Sequence, residues 1–275
     1  GEQIAATLPG ERSSITRIAL GEVDGRTVMV CAHSGTNPLQ VRDATTGEAM
    51  RTVGEARPGE DPFDVDAVVI ETSPDGQLFA SSSTFGPVRV WDARTGDEMV
   101  TAGPDAWIFH AAWSPDGELL AIAGVDEEEG GVVRIVDRSG EDVAVLRDEA
   151  GVAPKSVSFS ADGKRLMTAR SSIERADPSL TAVHIWDWEA EEIVDNFAIP
   201  ADRAVFDPTG TRIVATLSTS FGAGVWDAES GRRLATLSGH RSPVFDVTFS
   251  PDGTTVASAG QDGTVRLWYP PMPAG

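Results

Sequence analysis

Residues 239–268 read GHRSPVFDVTFSPDGTTVASAGQDGTVRLW, and the order of turns in this stretch decides the fold. Val244 to Phe249 is a short run of β-branched and aromatic residues. Pro251-Asp252-Gly253 then makes a tight turn: proline presets φ for the first turn position and glycine supplies the left-handed one. Thr255 to Ala259 is predicted as the next strand, Gln261-Asp262-Gly263 as a second turn, and Thr264 to Trp268 as a further strand. Arg232 to Ser238 supplies a strand before them. Runs this short, bounded by Gly, Pro and Asp, are hairpin signals. The stretch therefore predicts four short antiparallel strands.

The same text recurs along the chain. SPDG stands at 73–76, 114–117 and 250–253, with SADG at 160–163, DPTG at 207–210 and EVDG at 22–25. A second marker keeps phase with it: VRD at 41–43, VWD at 90–92, IVD at 135–137, IWD at 185–187, VWD at 225–227 and LWY at 267–269. Six copies of each cover the sequence from end to end. One segment competes with this pattern, since WEAEEIVDNF (188–197) is rich in helix formers. The repeat phase places a turn and a strand there, and the phase is followed. A four-stranded unit cannot bury both faces alone, so neighbours must stack on it. Radial stacking of small sheets achieves this and leaves only short, protected edges.

On these residues the chain resembles the WD-repeat family of β-propellers, in its bacterial type, over essentially its whole length. The match is best in the GH…SPDG…DGTVRLW text of 239–268. The resemblance implies an all-β propeller of four-stranded antiparallel blades, with six repeats giving six blades. A seven-bladed form with one unit missing is the alternative. Residues 1–275 are expected to make a single domain, part of a larger chain. The sequence opens on what reads as an outermost strand, Glu2 to Leu8, and closes on the fourth strand of unit six. The two termini are thus expected to share a blade and hide an open edge. In this family a His, a Ser or Thr, an Asp and the Trp form a hydrogen-bonded chain inside a blade. Here His240, Ser258, Asp262 and Trp268 match it in the last unit. Ser81 with Trp91, and Thr168 with Trp186, keep two members each. Unit three has Ile122 and Val136 at those positions and unit one has Val30 and Arg42, so hydrophobic packing is expected to carry both.

Composition sets the remaining limits. The 275 residues are 40% hydrophobic and 24% charged, which is globular composition. No run approaches the roughly 18 apolar residues that a spanning helix needs. No basic segment followed by an apolar run marks a secretory signal. A single cysteine, Cys31, excludes an internal disulfide and a cysteine zinc cluster, and fits a cytoplasmic protein. Net charge is −21. Such a surface repels phosphates and anionic lipid, so nucleic acid and membrane are not expected, and a basic partner is favoured. Only Lys155 and Lys164 are lysines among the 22 basic residues. This Arg-rich balance points to a GC-rich bacterial gene, with an acid-coated halophile as the alternative.

Each blade has two ends. The SPDG end is monotonous, whereas the opposite, top end varies. Three top loops stand out: GEARPGEDPFDVDA (54–67) with Phe63, GVDEEEGG (124–131) with Asp126, Glu127, Glu128 and Glu129, and RSSIERADPSL (170–180) with Arg175. Variable loops on a rigid scaffold are where binding is usually placed. The last two belong to adjacent units and are expected to neighbour each other; solvated insertions are the bland alternative. The acid run does not read as a metal site. Calcium loops space their oxygens at alternate positions and use glycine to turn round the ion, whereas these acids are consecutive. No GxSxG, HExxH, phosphate loop or dinucleotide fingerprint occurs.

Innermost-strand entries aligned with Asp246 are Arg17, Val69, His110, Ser156 and Arg203. Arg17, His110, Arg203 and Asp246 define the rival reading, a small-molecule or enzymatic propeller with a site at the channel mouth. The favoured expectation is a monomeric, non-enzymatic scaffold or sensor without a cofactor. It binds a protein or peptide through its top loops.

Overall fold

The structure is a computed structural model that describes residues 15–33, 39–53, 69–83, 85–103, 107–126, 130–147, 151–170, 182–217 and 220–270. The chain divides into two compact units, Gly1–Glu127 with Arg134–Val143, and Glu128–Val133 with Ala144–Gly275.

The first unit opens with a sheet of β1 (Ile15–Val23), β2 (Arg26–His33), β3 (Leu39–Asp43) and β4 (Ala49–Val53). Next comes a sheet of β5 (Val69–Thr72), β6 (Leu78–Ser82), β7 (Val88–Asp92) and β8 (Glu98–Ala102). The third sheet holds β9 (Trp107–Trp113), β10 (Leu119–Asp126), β11 (Gly130–Asp137) and β12 (Asp142–Leu146), and the division between units runs through it. The second unit continues with β13 (Ser156–Phe159), β14 (Arg165–Arg170), β15 (Ala182–Asp187) and β16 (Glu192–Phe197). Its next sheet is β17 (Ala204–Phe206), β18 (Arg212–Leu217), β19 (Gly222–Asp227) and β20 (Arg233–Ser238). The last is β21 (Val244–Phe249), β22 (Val256–Gly260) and β23 (Val265–Trp268), three-stranded among the described residues. The fourth strand expected at Glu2 to Leu8 lies outside them. These six sheets, in phase with the six repeats, are the blades of an all-β propeller fold.

The repeat markers are turn chemistry. In the second marker the aspartate carboxylate collects the amides of the residues that follow it. Asp43 Oδ1 accepts from the amides of Thr45 and Thr46, both at 2.8 Å, and Asp92 Oδ1 accepts from Arg94 at 2.8 Å and Thr95 at 2.6 Å. Such side-chain caps compete with helix and strand and fix the chain reversal. The same geometry settles residues 188–197. Asp187 Oδ1 accepts from Ala190 N, Glu191 turns at φ 57°, and β16 follows. A turn plus a strand stands where propensity alone favours a helix.

Alternation then builds the core. In the first unit Val30, Val41 and Val53 pack on Phe79 and Trp91 of the next blade, and Val88 and Val90 pack on Ile108, Leu120 and Ile122. Phe79 and Trp91 stack with centroids 6.3 Å apart. In the second unit Ile185 meets Ile213 and Trp226, and Val214 and Val225 meet Val247, Phe249 and Val256. Burying one such aliphatic side chain contributes about 1.5–3 kcal/mol, so packing between blades dominates the stability of each unit.

Candidate functional site

At the SPDG end of the blades the polar groups are spent on their own turns. Ser73 Oγ donates to Asp75 Oδ1 at 2.6 Å and accepts from Leu78 N at 3.0 Å, while Gly76 N donates to Ser73 O at 2.8 Å. Ser114, Ser160 and Ser250 repeat this pattern. The Ser250 hydroxyl, followed by the Thr254 amide, lowers the Asp252 carboxyl to about 2. Arg138 fastens two of these turns in the first unit. Its Nε donates to Gly117 O at 2.9 Å, and its Nη2 lies 3.2 Å from Asp75 and 3.4 Å from Glu118.

The fifth blade departs from the pattern. In DPTG, Asp207 replaces the serine, and Oδ1 accepts from Thr211 N at 2.8 Å and Arg212 N at 2.9 Å. Its Oδ2 takes the Arg212 guanidinium at 3.1 Å, with side chains 1% and 2% exposed. Arg212 Nη2 also donates to Gly253 O at 2.6 Å, and its guanidinium carbon lies 5.1 Å from the Phe249 ring centroid. This ion pair was not read from the sequence. Its signal was the exchange of Ser for Asp five residues before an Arg.

Inside the last blade the expected network is formed. Trp268 Nε1 donates to Ser258 Oγ at 2.8 Å, Ser258 Oγ meets His240 Nε2 at 2.8 Å, and His240 Nδ1 meets Asp262 Oδ1 at 3.1 Å. Because Ser258 accepts the indole proton, its own proton is directed to Nε2, which assigns the imidazole proton to Nδ1 facing Asp262. The Thr264 hydroxyl and then the Arg241 amide hold the Asp262 carboxyl well below the ordinary carboxylate range. Trp91 donates to Ser81 at 2.8 Å and Trp186 to Thr168 at 3.0 Å. Ile122 and Val136 are buried in the third blade, as expected. The first blade corrects the expectation of purely hydrophobic packing. Arg42 is 4% exposed and donates from Nη1 to Gly47 O at 3.0 Å and from Nη2 to Gln40 Oε1. A buried cation with internal acceptors occupies the tryptophan position there.

At the opposite, loop end the candidates fare unequally. Phe63, Glu127, Glu128, Glu129 and Arg175 lie outside the described residues, and so does the expected meeting of the 124–131 and 170–180 loops. Asp126 is half-buried at the end of β10. In the second unit the return of that loop is held close. Gly131 N donates to Gly151 O at 3.1 Å, and a Cβ on Gly131 would sit 2.5 Å from Val152 O, so only glycine fits.

The aligned innermost entries do share a register. Arg17 is opposite Ala32, Val69 opposite Ser82, His110 opposite Ala123, Ser156 opposite Ala169 and Asp246 opposite Ala259. Arg203 takes the same place, its carbonyl accepting from Thr216 N at 2.9 Å. Several of these groups are engaged inside their own unit. In the first, His110 Nε2 lies 3.7 Å from Glu71 Oε1. In the second, Arg203 Nε donates to Asp246 Oδ1 at 2.8 Å and Ser156 Oγ accepts from Ala204 N at 3.1 Å. Among the described residues, no group of three or more His, Cys, Asp or Glu is placed to hold a metal ion. Among them no helix is long and apolar enough to cross a membrane.

Sequence reasoning also missed an aromatic pair at this end. Trp107, the first residue of β9, meets Phe85 edge to face with centroids 6.0 Å apart and planes at 80°.

The family model "WD domain, G-beta repeat" matches residues 231–269. Periodic tryptophan protein 2 of Arabidopsis thaliana is 30% identical over 67% of this chain and 20% of its own length. The serine-threonine kinase receptor-associated protein of Gallus gallus is 26% identical over 70% of this chain and 64% of its own. GID complex subunit 7 of Schizosaccharomyces pombe is 28% identical over 71% of this chain and 38% of its own. The chain thus spans less than two thirds of each of these relatives. Among solved structures, a chain of the crystal structure of the mitotic checkpoint complex superposes with a TM-score of 0.77 at 18% identity, covering 94% of this chain and 78% of that one. At that identity the likeness concerns the fold.

Proposed function

Since the chain is a WD-repeat β-propeller, we propose that it is a non-enzymatic scaffold or sensor that binds a protein or peptide partner through the loop end of its blades. One observation carries this reading, the contrast between the two ends. At the SPDG end the same serine, aspartate and glycine atoms are consumed by the same turn in blade after blade. The loop end varies in length and content, and rigid strands deliver variable loops there for recognition. The net charge of −21 steers basic partners and makes association fall with salt. The relatives' names, which include a kinase receptor-associated protein and a complex subunit, support a protein partner in general. Those relatives extend beyond their matched parts, which fits one propeller domain inside a longer chain.

The rival reading places a charged small molecule on Arg17, His110, Arg203 and Asp246. Its weakness is that Arg203 already donates to Asp246. Capture of partners from the source organism tests the choice. Changing Asp126, Glu127, Glu128 and Glu129 together to serine should reduce capture, and Lys164→Ala at the SPDG end should leave it unchanged. Arg17→Ala, His110→Ala and Arg203→Ala combined should spare it. Undiminished capture by the serine variant, or loss in the triple variant, overturns the proposal.

A further inference from the structure

We propose that the six blades take one further four-stranded repeat, carried by the same polypeptide, which covers the outer face of the first blade and the outer face of the last. This is independent of which end of the blades binds a partner. A blade has two apolar faces, one toward the blade before it in sequence and one toward the blade after it. In the second blade Ile70 and Phe79 form the preceding face and pack on Val30 and Val41. Val88 and Val90 form its following face and pack on Ile108 and Leu120.

Both faces can be followed from blade to blade. On the following face, the residue before the tryptophan position is Val41, Val90, Ile135, Ile185 and Val225 in the first five blades, each at most 4% exposed. In the last blade it is Leu267, 62% exposed, and Val265, at the place of the buried Val88, is 70% exposed. On the preceding face, the residue after the aligned innermost entry is Ile70, Ala111, Val157, Ala204 and Val247 in the last five blades, each at most 5% exposed. In the first blade it is Ile18, 53% exposed, and Leu20 stands exposed where Phe159 and Phe249 are buried.

The faces themselves select the occupant. A repeat that ends an array carries a polar outer face, because nothing stacks on it. Here both outer faces keep apolar residues at the positions used by interior junctions. They are of opposite kind, one preceding and one following, and a single repeat presents one of each. Adding one gives seven blades, within the roughly four to eight that radial stacking accommodates. Two copies of these six, joined at both faces, would make twelve. The sheet edge agrees. Among the described residues β23 ends a three-stranded sheet, so a chain entering the further repeat can first run along it, as β4, β8, β16 and β20 do in their own blades. Carriage by the same polypeptide is supported by the relatives and by the superposed solved chain, all of which extend beyond their matched parts.

The test lengthens the chain by one period. A copy of residues 188–227, which holds β16 to β19, replaces residues 270–275 and follows Tyr269 as the original follows Asp187. Leu267→Cys and Ile18→Cys report the two faces separately through their rate of reaction with a thiol reagent, since the single native cysteine, Cys31, is buried. In the 275-residue chain both thiols should react as freely as an exposed cysteine. In the lengthened chain both should slow by about tenfold or more, and melting should rise by about 5 °C or more. Thiols that stay fast in a folded lengthened chain overturn the proposal. So does a 275-residue monomer whose thiols are already slow and in which Met29→Cys and Leu267→Cys form a disulfide, because the first blade is then the occupant. Slow thiols with a doubled mass in light scattering make a second copy the occupant and overturn it as well. Whether or not the lengthened chain folds, the product immunoprecipitated from the source organism should exceed 29.0 kDa by at least one repeat of about 40 residues, and a native product of 29.0 kDa overturns the proposal.

Discussion

Replacing Asp207 by serine restores at 207 the residue found in four other SPDG-type turns, yet it should be among the most damaging single changes in the second unit. Serine can still accept the Thr211 or Arg212 amide, as Ser73 accepts from Leu78. It cannot answer the Arg212 guanidinium, which is 2% exposed and held at 3.1 Å by the lost carboxylate. Arg212 keeps the Gly253 O acceptor at 2.6 Å, a neutral dipole in place of a full negative charge. Removing one partner of a buried pair costs about 3–5 kcal/mol, because the other charge stays desolvated. Changing Arg212 to leucine as well installs the Ser–Leu combination that the second and third blades carry at Ser73–Leu78 and Ser114–Leu119. An apolar replacement of the whole pair is often neutral or stabilising. The Asp207→Ser/Arg212→Leu double variant should therefore return to within about 2 kcal/mol of the parent. Urea denaturation followed by tryptophan fluorescence measures all three. A single-variant loss below about 1 kcal/mol, or a double variant as unstable as the sum of its parts, would show that the pair is not coupled as described.

Three further outcomes follow from other residues. Ser258→Ala deprives both the Trp268 indole and His240 of their partner and should lower unfolding free energy by about 1–3 kcal/mol, with unchanged urea midpoints as the contrary result. The Asp252 carboxyl is lowered to about 2 in the folded state from an ordinary 3.8, so its stabilising share is full above 3.8 and vanishes as pH falls through about 2. The deficit of Asp252→Ala relative to the parent should accordingly shrink across that window in urea titrations, and a deficit that grows there would reverse the assigned sign. Gly124→Ala should cost about 1–3 kcal/mol by forcing β10 away from Trp107, and should shift the indole signal of Trp107 in NMR spectra. An unshifted signal would mean the strand absorbs the methyl elsewhere.

Where interactions are local, the sequence was a sufficient guide. The strand at Val244 to Phe249 is formed as read, and Thr264 to Trp268 loses only its first residue. Turns closed by a serine, an aspartate and a glycine within a few residues declare themselves, because every partner lies in the quoted text. The helix-forming segment 188–197 was legible only through phase, since Asp187 and its turn override propensity. What escaped was contact between repeats. Arg212 looks like an ordinary surface arginine until the turn of the next repeat brings Gly253 O to it. Phe85 and Trp107 are far apart in sequence, and only the bridge between consecutive blades joins them. The same holds for Arg203 and Asp246, which the sequence aligned but left unpaired.

Hydrogen–deuterium exchange on the complex with a captured partner tests the central claim most directly. The account predicts slowed exchange confined to the loop end, at Trp107–His110 and through the segment from Gly124 to Gly131. The SPDG turns at 73–76, 114–117 and 250–253 should be unchanged. Protection centred on those turns, with the loop end unaffected, would contradict it.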